Sequence, residues 1–448
     1  MKKVQKNHYF VNGRKVVKRK TRGLKRSQDK MEKKRKIINH NTLVIAMDLS
    51  LEEICTVAMS PRNKQPITSF SVPFDKDGFE GLIETAKELK ENYNFKHIVF
   101  AMEPTSHYWI ILTEHLKATR QKYVLVQPIS VWRERQSEHY SYAKTDYEDA
   151  QLIGYLAIDM KFTFTQLPQT PIWASMEALA SEWILLNKKK SAEAMRLKAF
   201  WHRIVPEFLD IFKEQAGNTA IALSKALLPL PQIRKIKLEE FIGRIRNYLN
   251  KKRLMVFKVK VLYEIIRNDK SFGSRLYEGG LTYSISHAAK RYELYNTQQQ
   301  EAEERLLKLY KQTGYDQFLD SIPSVNPVKN ALTLSFIGDP CNYDCPRCLP
   351  KLAGTNACQN TSGRHSGKTP ITHWGNSHLS YLTYLIGFSL KTHNPEFKMR
   401  FNYLINRAKN PLKESQAIVA CGNKYLRMVH VLCTQKVCYN MAMANGIF

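Results

Sequence analysis

Acidic residues are scarce in this sequence: 40 Asp and Glu stand against 69 Lys and Arg over 448 residues, a formal net charge of +29. Long apolar runs are missing too. No stretch approaches the about 18 apolar residues that suggest a membrane-spanning helix, and YLTYLIGF (381–388) stops far short. The first 40 residues contain no apolar h-region, which argues against a secretory signal. No repeat period stands out. Membrane-embedded and exported proteins are therefore poor expectations. The eight cysteines, in a large chain without an export signal, are expected as reduced thiols of an intracellular protein.

What is present is positive charge. Residues 1–40 hold 16 Lys and Arg and two acids, Asp29 and Glu32. Without this arm the other 408 residues would still carry +15. Such a field favours a polyanionic partner, and nucleic acid is the usual one. Residues 1–41 read as a solvated, disordered electrostatic tether.

Beyond the arm, LVIAMD (43–48) is the short apolar run of a strand buried on both faces. CTVAMS (55–60) and ITSFSVPF (67–74), separated by turn formers, read as a hairpin. FEGLIETAKELKENY is helical, HIVFAME (97–103) a strand, SHYWIILTEHLKA a helix, YVLVQP (123–128) a strand, and KTDYEDAQLIGYLAI (144–158) a helix. The order β-β-β-α-β-α-β-α is that of an α/β RNase H-like (RuvC-like) domain, assigned to 42–170. Residues 172–213 are helical by pattern, with Pro206 breaking the run. The segment 221–280 carries 14 Lys and Arg against five acids. A second long helix places Ala288, Tyr292, Tyr295, Gln299, Ala302, Leu306 and Leu309 at steps of four and three, a heptad seam. That gives a helical or coiled-coil segment, 171–315, suited to dimerisation and holding a basic insertion at 214–287. A mainly α C-terminal domain follows, 316–448.

Four carboxylates stand out. Asp48 ends the first strand of the domain, Glu103 ends the fourth, and Asp146 and Asp149 share a face of the last helix. Central strands of such a sheet place their carboxyl ends along one edge, and the last helix can pack across it. Converging carboxylates stay ionised only if cations neutralise them. Oxygen-only ligation selects Mg2+ or Mn2+, and two such ions could clamp a phosphate. Taken singly, each residue has an ordinary reading as a cap or a solvated helix face. The cysteines Cys341, Cys345, Cys348 and Cys358 follow a C-x3-C-x2-C-x9-C spacing, which leaves Zn2+ ligation open beside four ordinary thiols.

DLS (48–50), EPTSHYW (103–109) and KTDYEDA (144–150) resemble blocks of the DEDD transposases of the insertion-sequence one-ten family, understood as bridge-RNA-guided recombinases. The family typically shows a strand-end Asp, then E-x-T-G-x-Y-W, then K-T-D-x-x-D-A; Ser106 stands here at the usual glycine. IPSVNPVKNALTLSFIGD (322–339) is similar to the family's I-P-G-[IV]-G-P stretch ending in I-G-D. LAGTNACQNTSGRHSGKTPITHWGNSHL (352–379) is similar to its A-G-x-x-P-x-x-x-x-S-G block ending in G-N-x-x-L. The resemblance runs from about residue 42 to 440 and is weakest over 214–287.

The resemblance implies that Asp48, Glu103, Asp146 and Asp149 are metal ligands. It also implies that Ser362, before Gly363, attacks a DNA phosphate and holds one strand as a phosphoserine ester. A hydroxyl needs a base or a metal for this, and the acidic cluster of the other domain is the available source. By itself Ser-Gly in a polar loop is usually a turn. Ser366 is the rival, and Arg364 and Lys368 are candidates to hold the phosphate. The partners implied are donor and target DNA, an element-encoded guide RNA, and further copies of the chain as a dimer or tetramer. A RuvC-like nuclease or junction resolvase using water, and a non-catalytic nucleic-acid-binding protein, remain alternatives.

Overall fold

The computed structural model describes residues 8–11, 14–17, 29, 31–138, 145–163, 170–214, 216–249, 253–358, 361–362, 365–366, 370–408 and 410–440. The chain forms two compact units, Met1–Leu167 and Pro168–Phe448.

Within the arm, β1 (His8–Val11) and β2 (Arg14–Val17) pair as a short antiparallel ribbon. This departs from the expected disorder, and the aromatic and β-branched residues HYFV and KVV supply strand propensity. The arm's end is docked as well. Ile38 is buried in the first unit's core, and the Lys34 ammonium donates to the Met160 carbonyl at 2.5 Å while lying over the Phe162 ring.

The first unit is built on a sheet of β3 (Thr42–Leu49), β4 (Glu53–Ser60), β5 (Gln65–Pro73), β6 (His97–Met102), β7 (Tyr123–Val126) and β8 (Phe162–Thr163), in the order β5-β4-β3-β6-β7-β8. β3, β6 and β7 run parallel, and the other pairings are antiparallel. Four helices flank it: α1 (Lys76–Asn92), α2 (Tyr108–Ala118), α3 (Pro128–Glu138) and α4 (Asp146–Ile158). The twofold periodicity of β3 serves two cores. Val44 and Ala46 face Ala150, Ile153 and Ala157 of α4, whereas Leu43, Ile45 and Met47 pack with Phe79 and Leu82 of α1 and Leu112 and Leu116 of α2. That sandwiching is why LVIAM is apolar without alternation. At Gly154 a Cβ would lie 2.1 Å from the Met59 sulfur and 3.1 Å from the Ala46 methyl, so the missing side chain lets α4 sit directly on β3 and β4. The β-β-β-α-β-α-β-α order is observed; α3 and the short edge strand β8 are additions.

The second unit is helical. α5 (Pro171–Ile204) stops at Val205 because Pro206 cannot continue it. α6 (Phe208–Ile211), α7 (Asn218–Ala226), α8 (Leu230–Ile233), α9 (Leu238–Arg246) and α10 (Val256–Arg267) follow, then α11 (Glu278–Gln312). α5 and α11 run antiparallel: Trp183 Nε1 donates to Glu303 at 3.1 Å, Lys190 to Asn296 at 3.2 Å, and Arg291 to Glu193 at 3.0 Å twice. Of the expected seam, Ala288, Gln299, Ala302 and Leu306 are buried, and the helix packs along α5 of the same chain. Gln299, polar within the seam, is bonded by Lys190 and Asn187.

The two long helices tie two cores together. At one end Trp201, Ile204, Ile285 and Ala289 pack with α7 to α10, which form the basic insertion. At the other, Trp173, Met176, Leu306 and Tyr310 join α13 (Pro327–Ile337), α15 (Ser377–His393), α16 (Pro395–Asn406) and α17 (Glu414–Gln435). Between these lie α12 (Asp316–Leu319) and α14 (Cys348–Leu352). The expected boundary at 315/316 thus falls inside one core, because both long helices contribute side chains to it. No helix among the described residues is long and apolar enough to cross a membrane.

Candidate active site

Asp48 is the penultimate residue of β3, and Glu103 directly follows β6. The parallel register pairs Met47 with Met102, so Asp48 and Glu103 come at the same level, one step further along adjacent strands. Neighbouring strands lie about 4.8 Å apart. Val44 and Ala46 on β3, and Val99 and Ala101 on β6, all face α4. Period-two alternation puts Asp48 on that same face and directs Glu103 towards it. Both acids are half-buried.

The first turn of α4 brings the other pair. Thr145 caps the helix, its hydroxyl accepting from the Glu148 amide at 3.2 Å, and Asp146, Glu148 and Asp149 complement the positive end of the helix dipole. Asp146 is exposed, whereas Asp149 is buried. A buried carboxylate requires a partner. Here it is the guanidinium of Arg135 on α3, bonded to Asp149 Oδ1. The sequence reading placed a metal pair as the positive group beside these acids; the structure puts an arginine beside Asp149. Arg135 was missed because the helix WRERQ reads as an exposed, strongly polar stretch.

Cys55, opposite Asp48 in the β3–β4 register, reports the local field. Burial pushes its thiol up, and the charges of Asp146, Asp48 and Glu53 add to that, while a hydrogen bond with Ser71 opposes it. Asp146 and Asp48 therefore act on one neighbour. Even so, no group of three or more His, Cys, Asp and Glu among the described residues is gathered closely enough to hold a metal. The four carboxylates belong to one edge but are not closed into a ligand set.

Ser106, three residues past Glu103, has φ +54°. Its hydroxyl lies 3.2 Å from His107 Nδ1. Ser324, at the first glycine of the I-P-G-[IV]-G-P pattern, has φ +71°. Both serines thus hold the left-handed backbone that glycine adopts freely. Asn326, at the second glycine, instead caps α13, accepting from the Lys329 amide at 2.9 Å.

Ser362 lies in β9 (Thr361–Ser362), paired antiparallel with β10 (His365–Ser366). The register sets Ser362 opposite His365 and Thr361 opposite Ser366, so the two candidate serines occupy adjacent rungs. At the base of this excursion stand the Ala357–Ile371 bridge, Cys358 N donating to Pro370 O at 2.8 Å, and His373 N donating to Gly354 O at 2.9 Å. A Cβ on Gly375 would come within 2.3 Å of Gly354 N and 2.4 Å of Leu352 O, so the two ends of the excursion touch backbone to backbone. Asn423 of α17 pins the base, its Nδ2 donating to Thr355 O at 2.8 Å. Arg364 and Lys368 lie outside the described residues.

The cysteine tetrad is not assembled. Cys345 and Cys348 sulfurs are 3.7 Å apart, but Cys341 is turned to the Tyr315 hydroxyl at 3.5 Å and Cys358 is exposed on the ribbon base. No three of these cysteines are gathered closely enough to hold a metal among the described residues, and a gap of nine residues through α14 and the Gly354 turn precedes Cys358. All eight cysteines are free thiols.

Two family models match. The DEDD transposase model of the IS110 group covers residues 45–206, which contain all four carboxylates. The model described as Transposase IS116/IS110/IS902 family covers 316–402, which contain Ser362 and its ribbon. No curated protein matches significantly. The matched segments together span more than half of the chain and contain the carboxylate edge and the serine ribbon. The chain belongs to the IS116/IS110/IS902 family of transposases.

Proposed function

We infer from its family that the chain is a DNA-cutting transposase. We propose that it cuts and rejoins insertion-sequence and target DNA with Ser362 as nucleophile. In this reading Asp48, Glu103, Asp146 and Asp149 hold divalent cations, Mg2+ or Mn2+. The observation that carries it is the placement of Asp48 level with Glu103 on the sheet face covered by the acidic first turn of α4.

The donor set suits hard cations, being carboxylate oxygens alone. Arg135 already supplies positive charge to Asp149, and a cation entering there would take its place. A bound cation would neutralise the acids and polarise phosphate oxygens. Attack by the Ser362 hydroxyl forms a serine–phosphorus ester as one backbone P–O bond breaks, and the leaving oxygen ends up with a proton. The number of phosphoester bonds is unchanged, so the reverse attack by a DNA hydroxyl reseals a strand without an energy source. The large positive charge suits both DNA and a guide RNA, and an assembly of several copies acting inside the cell completes the proposal.

The test is a denaturing gel of the protein with labelled DNA and Mg2+, looking for a protease-sensitive shifted band. Ser362→Ala should abolish the band and Ser366→Ala should keep it. A band that survives Ser362→Ala overturns the nucleophile. Nicked DNA with free ends and no band from the wild type favours attack by water, the resolvase-like chemistry. Sequencing RNA that copurifies tests the guide.

A further inference from the structure

Helix α17 carries Asn423, Lys424 and Arg427 within one turn. Lys424 is only 3% exposed. Arg427, and Arg400 on the neighbouring α16, each keep a guanidinium Nε buried without a hydrogen-bond partner. Neither arginine is in an ion pair among the described residues. Burial pushes the Lys424 ammonium down to about 8, and the charges of Arg400 and Arg427 push it the same way. Burial likewise lowers Arg427, followed by the charges of Arg347 and Arg400. Arg400 and Arg427 thus act on Lys424, and Arg347 and Arg400 act on Arg427. Like charges held in a partly desolvated cluster destabilise it, and an arriving anion reverses the sign of that energy.

The location gives the cluster a purpose. Asn423, which holds Thr355 at the base of the serine ribbon, precedes Lys424 by one residue and Arg427 by one helical turn. Arg347 stands at the start of α14, whose far end runs into Gly354 at the same base. Guanidinium forks and a lysine ammonium are the side chains that bind phosphate oxygens best.

We propose that Arg347, Arg400, Lys424 and Arg427 form a phosphate-binding subsite that grips a DNA backbone at the base of the Ser362 ribbon. The proposal rests on the reading that this chain handles DNA, and it adds where the strand is held. Holding the backbone there would limit which phosphate reaches the ribbon, so these are positioning residues.

The test is DNA binding across a salt series, with a labelled duplex and no divalent cation, by the full-length protein and by Arg347→Gln, Arg400→Gln and Arg427→Gln. Circular dichroism checks folding, and Arg347, being exposed, gives a variant that folds even if a buried one does not. Each variant should weaken binding and reduce the slope of log affinity against log salt by about 0.9 for every phosphate it no longer neutralises. Unchanged affinity and slope in folded Arg347→Gln and Arg427→Gln overturn the subsite while leaving the transposase reading intact. A loss confined to an RNA hairpin probe overturns its assignment to DNA. Failure of the wild type itself to bind DNA overturns the broader reading, and the subsite with it.

Discussion

The guanidinium of Arg135 on α3 is bonded to the buried carboxylate of Asp149 on α4, at the sheet edge that also carries Asp48 and Glu103. It neutralises the one acid of the four that is withdrawn from water. A metal and Arg135 would therefore compete for Asp149.

Arg135→Gln should lower stability without divalent cations by about 1–2 kcal/mol, because it takes a partly exposed guanidinium away from a buried carboxylate. Mg2+ or Mn2+ should then raise the melting temperature of the variant more than that of the wild type. Equal metal-induced shifts in the two proteins would show that no cation reaches Asp149. Asp149→Asn should remove the metal-induced shift and strand transfer while leaving DNA binding in place.

Ser106 and Ser324 occupy left-handed backbone, which costs a side-chain-bearing residue about 1–2 kcal/mol. Glycine relieves that cost but loses up to about 1 kcal/mol through the freedom it adds to the unfolded chain. Ser106→Gly and Ser324→Gly should therefore each be neutral to about 1 kcal/mol stabilising in urea denaturation. Clear destabilisation would contradict the backbone assignment.

Gly387 on α15 and Gly422 on α17 let those helices cross closely. A Cβ would meet Ile418 O at 2.3 Å in the first case and Thr383 O at 2.1 Å in the second. Backbone oxygens cannot rotate away, so Gly422→Ala should cost about 1–3 kcal/mol. Gly243→Ala on α9 has nothing within 4 Å and should be neutral or stabilising by up to about 1 kcal/mol. Thermal melts of the two variants should shift in opposite directions or by plainly different amounts.

Lys424 makes stability depend on alkaline pH. Its ammonium titrates near 8 in the fold against 10.5 ordinarily. Below about 8 the group is charged in both states, and the fold bears the net penalty of burying it. As pH rises towards 10.5 the folded chain has already lost its proton while the unfolded chain still holds one, so the penalty fades. Wild-type stability relative to Lys424→Met should thus climb by an amount on the order of 1–3 kcal/mol over that window. Urea denaturation of both proteins at a series of alkaline pH values measures it, and a flat difference would contradict the buried charge.

Much of the first unit was legible from residue order. The unbroken apolar run of β3 follows from burial on both faces, and strand-end positions of Asp48 and Glu103 follow from period and punctuation, which are local properties. Pro206 ended α5 for an equally local reason. The seam of Ala288, Gln299, Ala302 and Leu306 was readable as a seam, since spacing alone puts residues on one face. What it packs against is another matter: spacing carries no information about the partner, and only the tertiary structure chose α5 of the same chain.

The same division holds at the site. Residue types and motif order marked the carboxylates and Ser362, but which charge lies beside Asp149 depends on α3 folding back onto α4 from a stretch with no apolar pattern of its own. Cysteine spacing suggested a metal knuckle, and the structure brings Cys345 and Cys348 together without gathering a third ligand among the described residues. Arg347, Arg400, Lys424 and Arg427 are scattered over 81 positions of a basic sequence, where no one of them is conspicuous. Only the packing of α14 and α16 with α17 brings their charges together, because electrostatic coupling is set by distance in space and by exclusion of water.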